Sequence, residues 1–101
     1  MIVMNLSPVE IQTIRAFFAD KPLVWAFLFG SFARGEADAA SDVDLLVELD
    51  YTQPIGLGFI GMKLDLEERL GRRVDLVSSQ GVSPRILPYI EPQKMLVYEQ
   101  A

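Results

Sequence analysis

The chain of 101 residues contains neither cysteine nor histidine. Without cysteine, a disulfide framework and a thiolate metal site are both excluded. Without histidine, there is no imidazole zinc site and no Ser-His-Asp triad. A serine of this chain is therefore not expected to act as an acyl-transfer nucleophile.

Basic residues are outnumbered in this sequence, with nine Lys and Arg against fourteen Asp and Glu and a net charge of -5. Because nucleic-acid-binding proteins usually present a basic face, we expect no direct contact with nucleic acid. No stretch approaches the roughly 20 apolar residues of a membrane span, and the N-terminus does not resemble a signal peptide. We expect a cytoplasmic protein without a membrane partner, folded as a single domain over residues 1–101.

The hydrophobic pattern predicts alternating helices and strands. Ser7-Pro8-Val9-Glu10 has the pattern of a capping box with proline at the first helical position, so a helix should begin there. A second helix is expected from about Ile55 or Gly58 to Leu70, and a short third one from Ser83-Pro84. Apolar runs predict strands over 23–29, 42–49 and 72–77, with a terminal strand or a docked tail over 94–99.

Two aspartates, Asp42 and Asp44, lie two positions apart at the head of the second predicted strand. Residues i and i+2 of a strand point to the same face, so the two carboxylates should project side by side. Two neighbouring carboxylates at the edge of a core repel each other unless a cation neutralises them. Oxygen ligands of this kind suit Mg²⁺ or Mn²⁺. The alternative is that both are turn residues at a strand start.

The first predicted strand ends at Phe29, where Gly30-Ser31 turns the chain into a short polar segment. The N-terminus of a helix that follows a glycine has free main-chain N–H groups, and these groups can bind a phosphate. The segment is not a Walker A loop, because the Gly-Lys-Ser/Thr ending is absent. Taken alone, Gly30-Ser31 could equally be a strand-to-helix turn with a capping serine.

Three motifs in register, Gly30-Ser31, Arg34-Gly35 and Ser41-Asp42-Val43-Asp44, resemble the signature of the nucleotidyltransferase superfamily typified by DNA polymerase β. The form GSFARGEADAASDVDLLV is similar to that of the minimal nucleotidyltransferases, small proteins encoded beside HEPN-domain toxins. The resemblance implies an α/β (α+β) fold with a polymerase β-like nucleotidyltransferase core. Such a core is a small mixed β-sheet with helices packed on one side.

The resemblance also implies a third carboxylate, Asp75, on a strand beside the Asp-x-Asp strand. Without the resemblance, exposure on an edge strand would be the safer interpretation of Asp75. With it, Asp42, Asp44 and Asp75 are the expected catalytic and metal-binding residues. They would hold two Mg²⁺ ions, with Mn²⁺ possible in their place, and Asp75 would receive the proton of the attacking hydroxyl.

For the substrates, the resemblance implies ATP as the donor of AMP, bound through Gly30, Ser31 and Arg34. The implied acceptor is a hydroxyl, that of a tyrosine, on a HEPN-domain toxin, which would make this chain the antitoxin. Two alternatives remain open. The chain could neutralise the toxin by binding alone, or it could be a small-molecule nucleotidyltransferase that completes its site by oligomerisation.

Overall fold

The computed structural model of the protein describes residues 5–53 and 58–100. Within these ranges the chain forms four helices and four strands, in the order α1 (Pro8–Phe18), β1 (Leu23–Phe29), α2 (Gly30–Arg34), β2 (Val43–Leu49), α3 (Gly58–Leu70), β3 (Val74–Ser78), α4 (Leu87–Ile90) and β4 (Met95–Glu99). No helix in these two ranges is both long and apolar enough to cross a bilayer.

Helix α1 begins where its capping pattern predicts. The Ser7 hydroxyl accepts a hydrogen bond from the Glu10 N–H at 3.1 Å, and the Glu10 carboxylate accepts one from the Ser7 N–H at 3.0 Å. Pro8 takes the first helical position, where its missing N–H has no partner to lose. The apolar stripe of the helix is buried, as its spacing predicts, at Ile14, Phe17 and Phe18.

The four strands form one mixed sheet in the order β3-β2-β1-β4. Strand β1 lies antiparallel to both β2 and β4, whereas β2 and β3 run parallel. A parallel pair needs a long crossover, and α3 lies in the connection between β2 and β3. The sheet is therefore mixed, as the sequence predicts.

The core lies on one face of this sheet. Side chains alternate along β2, so that Val43, Leu45 and Val47 are completely buried on the core side. Both longer helices, α1 and α3, cover this face, and their contribution to the core consists of Ile14, Phe17, Phe18, Met62 and Leu66. These two helices pack on one side of the sheet, as predicted.

The opposite face of the sheet carries the acidic residues. Asp44 lies directly across from Phe29 on β1 and from Asp75 on β3. Residues paired in this way present their side chains to the same face. The last turn of α4 also adjoins this face, because Ile90 and Asp75 line the same cavity. The fold thus separates an apolar face that builds the core from a face that presents carboxylates.

Several element boundaries differ from the sequence predictions. Strand β2 begins at Val43 rather than at residue 42, and β3 begins at Val74 rather than at residue 72. The last helix begins at Leu87 rather than at Ser83-Pro84. A helix running through Pro84 would need an N–H from Pro88, which proline lacks, so the segment before Leu87 forms a turn instead.

The predicted loop after β2 is only partly described. Asp50 begins it with a turn, because its carboxylate accepts hydrogen bonds from the N–H and the hydroxyl of Thr52. Residues 54–57, which include the earlier of the two predicted starts of the second helix, lie outside the described residues. From Gly58 onward α3 follows the prediction, and Met62 and Leu66 of this helix are buried.

Candidate active site

The carboxylates of Asp44 and Asp75 come together because their strands run parallel and in register. Asp44 is the second residue of β2 and Asp75 the second residue of β3, and the two are direct partners across the ladder. Asp44 is half-buried and Asp75 is exposed. The topology therefore places two carboxylates side by side at one end of the sheet face that the core does not use.

Asp42 lies just before β2 and is paired with an arginine. Arg73 Nε lies 3.0 Å from Asp42 Oδ1, while this oxygen is shielded from solvent and accepts no hydrogen bond within residues 5–53 and 58–100. The neighbouring Arg72 forms a separate ion pair, in which its Nε lies 2.6 Å from the carboxylate of Glu10 on α1.

Gly30 is packed directly against the Asp44 carboxylate. Its φ of +75° lies in the left-handed region, which favours glycine over residues with a Cβ. A Cβ built at this position would overlap Oδ2 of Asp44. Two independent requirements, one of the backbone and one of the neighbouring side chain, therefore demand glycine where the sequence predicted a strand-to-helix turn.

The pKa of Asp44 is raised from an ordinary value of 3.8 to about 6. Burial is the largest cause, followed by the negative charges of Asp75 and Asp42, while the positive charge of Arg34 opposes the rise. Each of these causes except the last disfavours the ionised carboxylate. A cation bound between these side chains would relieve both the burial penalty and the repulsion.

The segment that follows β1 brings Gly30 and Arg34 onto one acceptor, Gln93. The Gly30 N–H and the Arg34 Nη1 each donate a hydrogen bond of 3.1 Å to Gln93 Oε1. Ser31, the third residue predicted to bind nucleotide, is half-buried in the same segment. Sequence reasoning missed Gln93, because it follows Gly30 by 63 positions and no motif marks it.

A cavity of about 340 Å³ opens beside Asp75. Its walls come from the ends of β1 and β3, from the turn after β3 and from α4. Most of the lining is apolar, and Asp75 is the one charged residue among the described residues that line it: Phe29, Asp75, Val77, Gly81, Val82, Ser83, Ile86 and Ile90. A flat apolar group could enter this cavity and present a polar atom to the Asp75 carboxylate.

The donor set of the site suits a hard divalent cation. All three aspartates offer oxygen ligands, which Mg²⁺ and Mn²⁺ prefer. In the part of the chain that the structure describes, no three acidic side chains are gathered into a formed metal site, and Asp42 is paired with Arg73. A cation at this place would nevertheless give Asp42 Oδ1, which accepts no hydrogen bond from the described residues, a further partner. It would also favour the ionised form of Asp44, whose pKa is raised.

Comparison with known protein families identifies the class of protein. The family model described as "Polymerase beta, Nucleotidyltransferase" matches residues 12–101, which is most of the chain. The chain belongs to this nucleotidyltransferase family. The resemblance found in the sequence motifs is thereby confirmed, and so is the polymerase β-like fold that it implied.

Among curated relatives, the protein adenylyltransferase MntA of Thermococcus cleftensis is 46% identical over 59 residues, which cover 58% of this chain and 59% of the relative. A protein of Methanocaldococcus jannaschii, provisionally named a protein adenylyltransferase, is 39% identical over 59 residues, covering 58% of this chain and 62% of that protein. The matched segment thus spans about three fifths of the length of these relatives.

Solved structures show the same fold. A structure provisionally assigned as a minimal nucleotidyltransferase has a TM-score of 0.73 at 35% identity, covering 91% of this chain and 95% of the other. A chain from a toxin–antitoxin complex with AMP-PNP has a TM-score of 0.76 at 23% identity, and the match covers 89% of this chain and 73% of the other. A third structure is a complex of the tri-AMPylated Shewanella oneidensis HEPN toxin with MNT antitoxin. One of its chains has a TM-score of 0.69 at 20% identity, and the match covers 91% of this chain and 71% of the other.

Proposed function

We propose that this chain is a protein adenylyltransferase of a toxin–antitoxin pair. It transfers AMP from ATP to a hydroxyl, that of a tyrosine, on a HEPN-domain toxin, and so acts as the antitoxin. The observation that carries this proposal is the placement of Asp44 and Asp75 side by side on one sheet face, next to the Gly30 turn. A relative named protein adenylyltransferase and the fold of toxin–antitoxin complexes support the same reaction.

Asp42, Asp44 and Asp75 would hold the divalent cations, two Mg²⁺ ions or Mn²⁺ in their place. Bound there, the metal would neutralise the triphosphate and make the acceptor hydroxyl easier to deprotonate. Arg73 now pairs with Asp42, but its side chain is 75% exposed. Because an exposed ion pair contributes little stability, Arg73 can release Asp42 to a cation.

The reaction itself is a substitution at the α-phosphorus of ATP. The acceptor oxygen forms a bond to this phosphorus, the bond to the oxygen that bridges to the β-phosphate breaks, and pyrophosphate leaves. Gly30, Ser31 and Arg34 would bind the triphosphate and orient it for this attack. The proton of the acceptor hydroxyl passes to the carboxylate of Asp75, which is exposed and therefore accessible to an incoming group.

The apolar cavity beside Asp75 supports an aromatic acceptor. An exposed hydroxyl of serine or threonine would gain little from the apolar walls formed by Phe29, Val77 and Ile90. A tyrosine ring would bury apolar surface there and bring its hydroxyl to the one carboxylate of the lining. The geometry thus favours tyrosine as the residue that receives AMP.

The charge of the chain supports a protein partner. At a net charge of -5, the chain would repel the phosphates of a nucleic-acid acceptor and attract a basic protein surface. ATP and such a partner would both be met in the cytoplasm, which is where we place the reaction.

The test combines the protein, Mg²⁺, ATP labelled in the α-phosphate and the HEPN-domain partner. We expect label on the partner, removed when its acceptor tyrosine is changed to phenylalanine and abolished by a metal chelator. The double variant Asp42→Asn/Asp44→Asn should fall below about 1% of the wild-type rate, because it removes two anionic ligands of the metal site. Asp65→Asn, a matched change of an exposed aspartate on α3, should transfer label normally.

Other outcomes would replace this proposal. If the partner gains no label while both wild type and double variant still neutralise its toxicity, the protein is an antitoxin that acts by binding. If label appears on a small molecule and never on the partner, the protein is a small-molecule nucleotidyltransferase.

A further inference from the structure

Gln93 makes three hydrogen bonds, two of which join the segment after β1 to the turn before β4. Its Oε1 accepts from the Gly30 N–H and from Arg34 Nη1, each at 3.1 Å. Its Nε2 donates to the Tyr89 carbonyl oxygen at the end of α4. A single side-chain oxygen therefore satisfies two donors, and the other end of the same amide is tied to the backbone.

The two donors that meet at Gln93 Oε1 are of the kind that bind phosphate oxygens. A main-chain N–H and a guanidinium both form stronger hydrogen bonds with an anionic oxygen than with a neutral amide oxygen. The guanidinium of Arg34 is held in place from its other side, since Nε donates to the Glu36 carboxylate at 3.1 Å. The donors are thus aimed at one point, and the group at that point is neutral and replaceable.

We propose that Gln93 is a specificity-determining residue of the nucleotide site, whose Oε1 takes the place of a phosphate oxygen until a polyphosphate displaces it. This inference rests on the proposed function, because it requires that Gly30 and Arg34 bind the triphosphate. A ligand must then offer an anionic oxygen strong enough to replace Gln93. Nucleoside triphosphates meet this condition, whereas a ligand without phosphate at this point competes poorly.

The role makes opposite predictions for two substitutions of Gln93. Gln93→Ala removes the competing oxygen, so polyphosphate should bind severalfold more tightly than to wild type. Gln93→Glu places a carboxylate on the same donors, and it should weaken binding by about tenfold or more, because a charged acceptor holds Arg34 more strongly. Gln12→Ala, an exposed glutamine change on α1, is the matched control and should leave binding unchanged.

The experiment is calorimetric titration of the full chain with inorganic tripolyphosphate and with ATP, each in the presence of Mg²⁺ and without any partner. Thermal unfolding without ligand shows whether each variant is folded. As a second measurement on the wild type, the Gly30 amide and the Gln93 side-chain amide signals in ¹H–¹⁵N NMR spectra should both shift when tripolyphosphate is added.

The outcomes separate this inference from the proposed function. Tighter binding by Gln93→Ala and weaker binding by Gln93→Glu would support it, even if no partner is ever labelled. If both variants bind more weakly than wild type, Gln93 contacts the bound ligand instead and the inference is wrong. If neither wild type nor any variant binds tripolyphosphate or ATP, the inference and the proposed function both fail.

Discussion

At the scale of single residues, the contact between Gly30 and Asp44 constrains the geometry of the site. The Asp44 carboxylate lies where a side chain at position 30 would have to be. Burial at this point is also the main reason that the pKa of Asp44 is raised to about 6. The Gly30 backbone thus limits where the Asp44 carboxylate can lie, and burial of that carboxylate raises its pKa.

Gly30→Ala should reduce the rate of AMP transfer by about a hundredfold, while the variant still folds. Its left-handed backbone would cost about 1–2 kcal/mol of unfolding free energy for a residue with a Cβ. In addition, the new methyl group would displace the Asp44 carboxylate, and a misplacement of that order reduces rates by about a hundredfold. Denaturant unfolding and the labelled-ATP assay measure the two effects separately.

The matched control for this prediction is Gly35→Ala. Gly35 has nearly the same φ, +72°, but within residues 5–53 and 58–100 a Cβ there would have no atom within 4 Å beyond its chain neighbours. We expect the same loss of stability with transfer largely retained. Equal losses of transfer in both variants would mean that backbone strain, and not the contact with Asp44, explains the effect of Gly30→Ala.

At the scale of elements, the start of α1 is attached to the start of β3. Glu10 closes the capping box with Ser7 and also pairs with Arg72 at 2.6 Å, just before β3 begins. Burial opposes the ionised form of Glu10, but the Arg72 guanidinium and the Ser7 N–H outweigh it and lower the pKa of Glu10. One side chain therefore both caps a helix and connects it to the sheet.

Ser7→Ala should destabilise the protein by about 1 kcal/mol, since the Glu10 N–H loses its acceptor. For a domain of this size that loss corresponds to a decrease in melting temperature of about 4–8 °C. Ser7→Thr keeps the hydroxyl and should retain most of the stability. Thermal unfolding followed by circular dichroism measures both variants, and equal losses in the two would argue against the hydroxyl as the cause.

At the scale of the whole molecule, the sheet separates two environments. One face is an apolar core covered by α1 and α3, and the other face gathers carboxylates in a chain that already has a net charge of -5. Folding therefore brings Asp44 close to Asp75, a negative charge that is distant from Asp44 in the unfolded chain. Without a bound cation, the site destabilises the fold that creates it.

This conflict predicts a pH dependence of stability. The folded protein binds the Asp44 proton more tightly than the unfolded chain, because the pKa of Asp44 is raised from 3.8 to about 6. The contribution of Asp44 to the free energy of unfolding should therefore be most favourable below pH 4 and decline until about pH 6. Asp44→Asn cannot ionise, so its stability relative to wild type should rise over the same interval.

Urea unfolding of both proteins at pH 4, 5, 6 and 7 without divalent cations measures this difference. Contributions from the carboxylates whose pKa is lowered, such as Glu10 and Asp50, are common to both proteins and cancel. Adding Mg²⁺ at pH 7 should stabilise the wild type and reduce the difference. A difference that stays constant with pH would show that Asp44 titrates alike in the folded and unfolded states.

Much of the fold was predictable from local patterns. The apolar run of β1 ends at a glycine, the capping box starts α1, and Gly71 follows the end of α3, so each of these boundaries has a local cause. The start of the last helix was predicted wrongly, because the effect of Pro88 outweighs the start signal at Ser83-Pro84. The single-domain prediction and the roles assigned to the site residues remain predictions.

The sequence by itself determined the family and the mixed α/β fold class and predicted the site residues, because glycine, serine and aspartate occur in a fixed local spacing that needs no tertiary contact to be recognised. Tertiary structure alone decided the strand order β3-β2-β1-β4, the pairing of Arg73 with Asp42 and the position of Gln93 against Gly30. These features join residues far apart in the chain. Packing of the sheet, and not any local preference, brings them together.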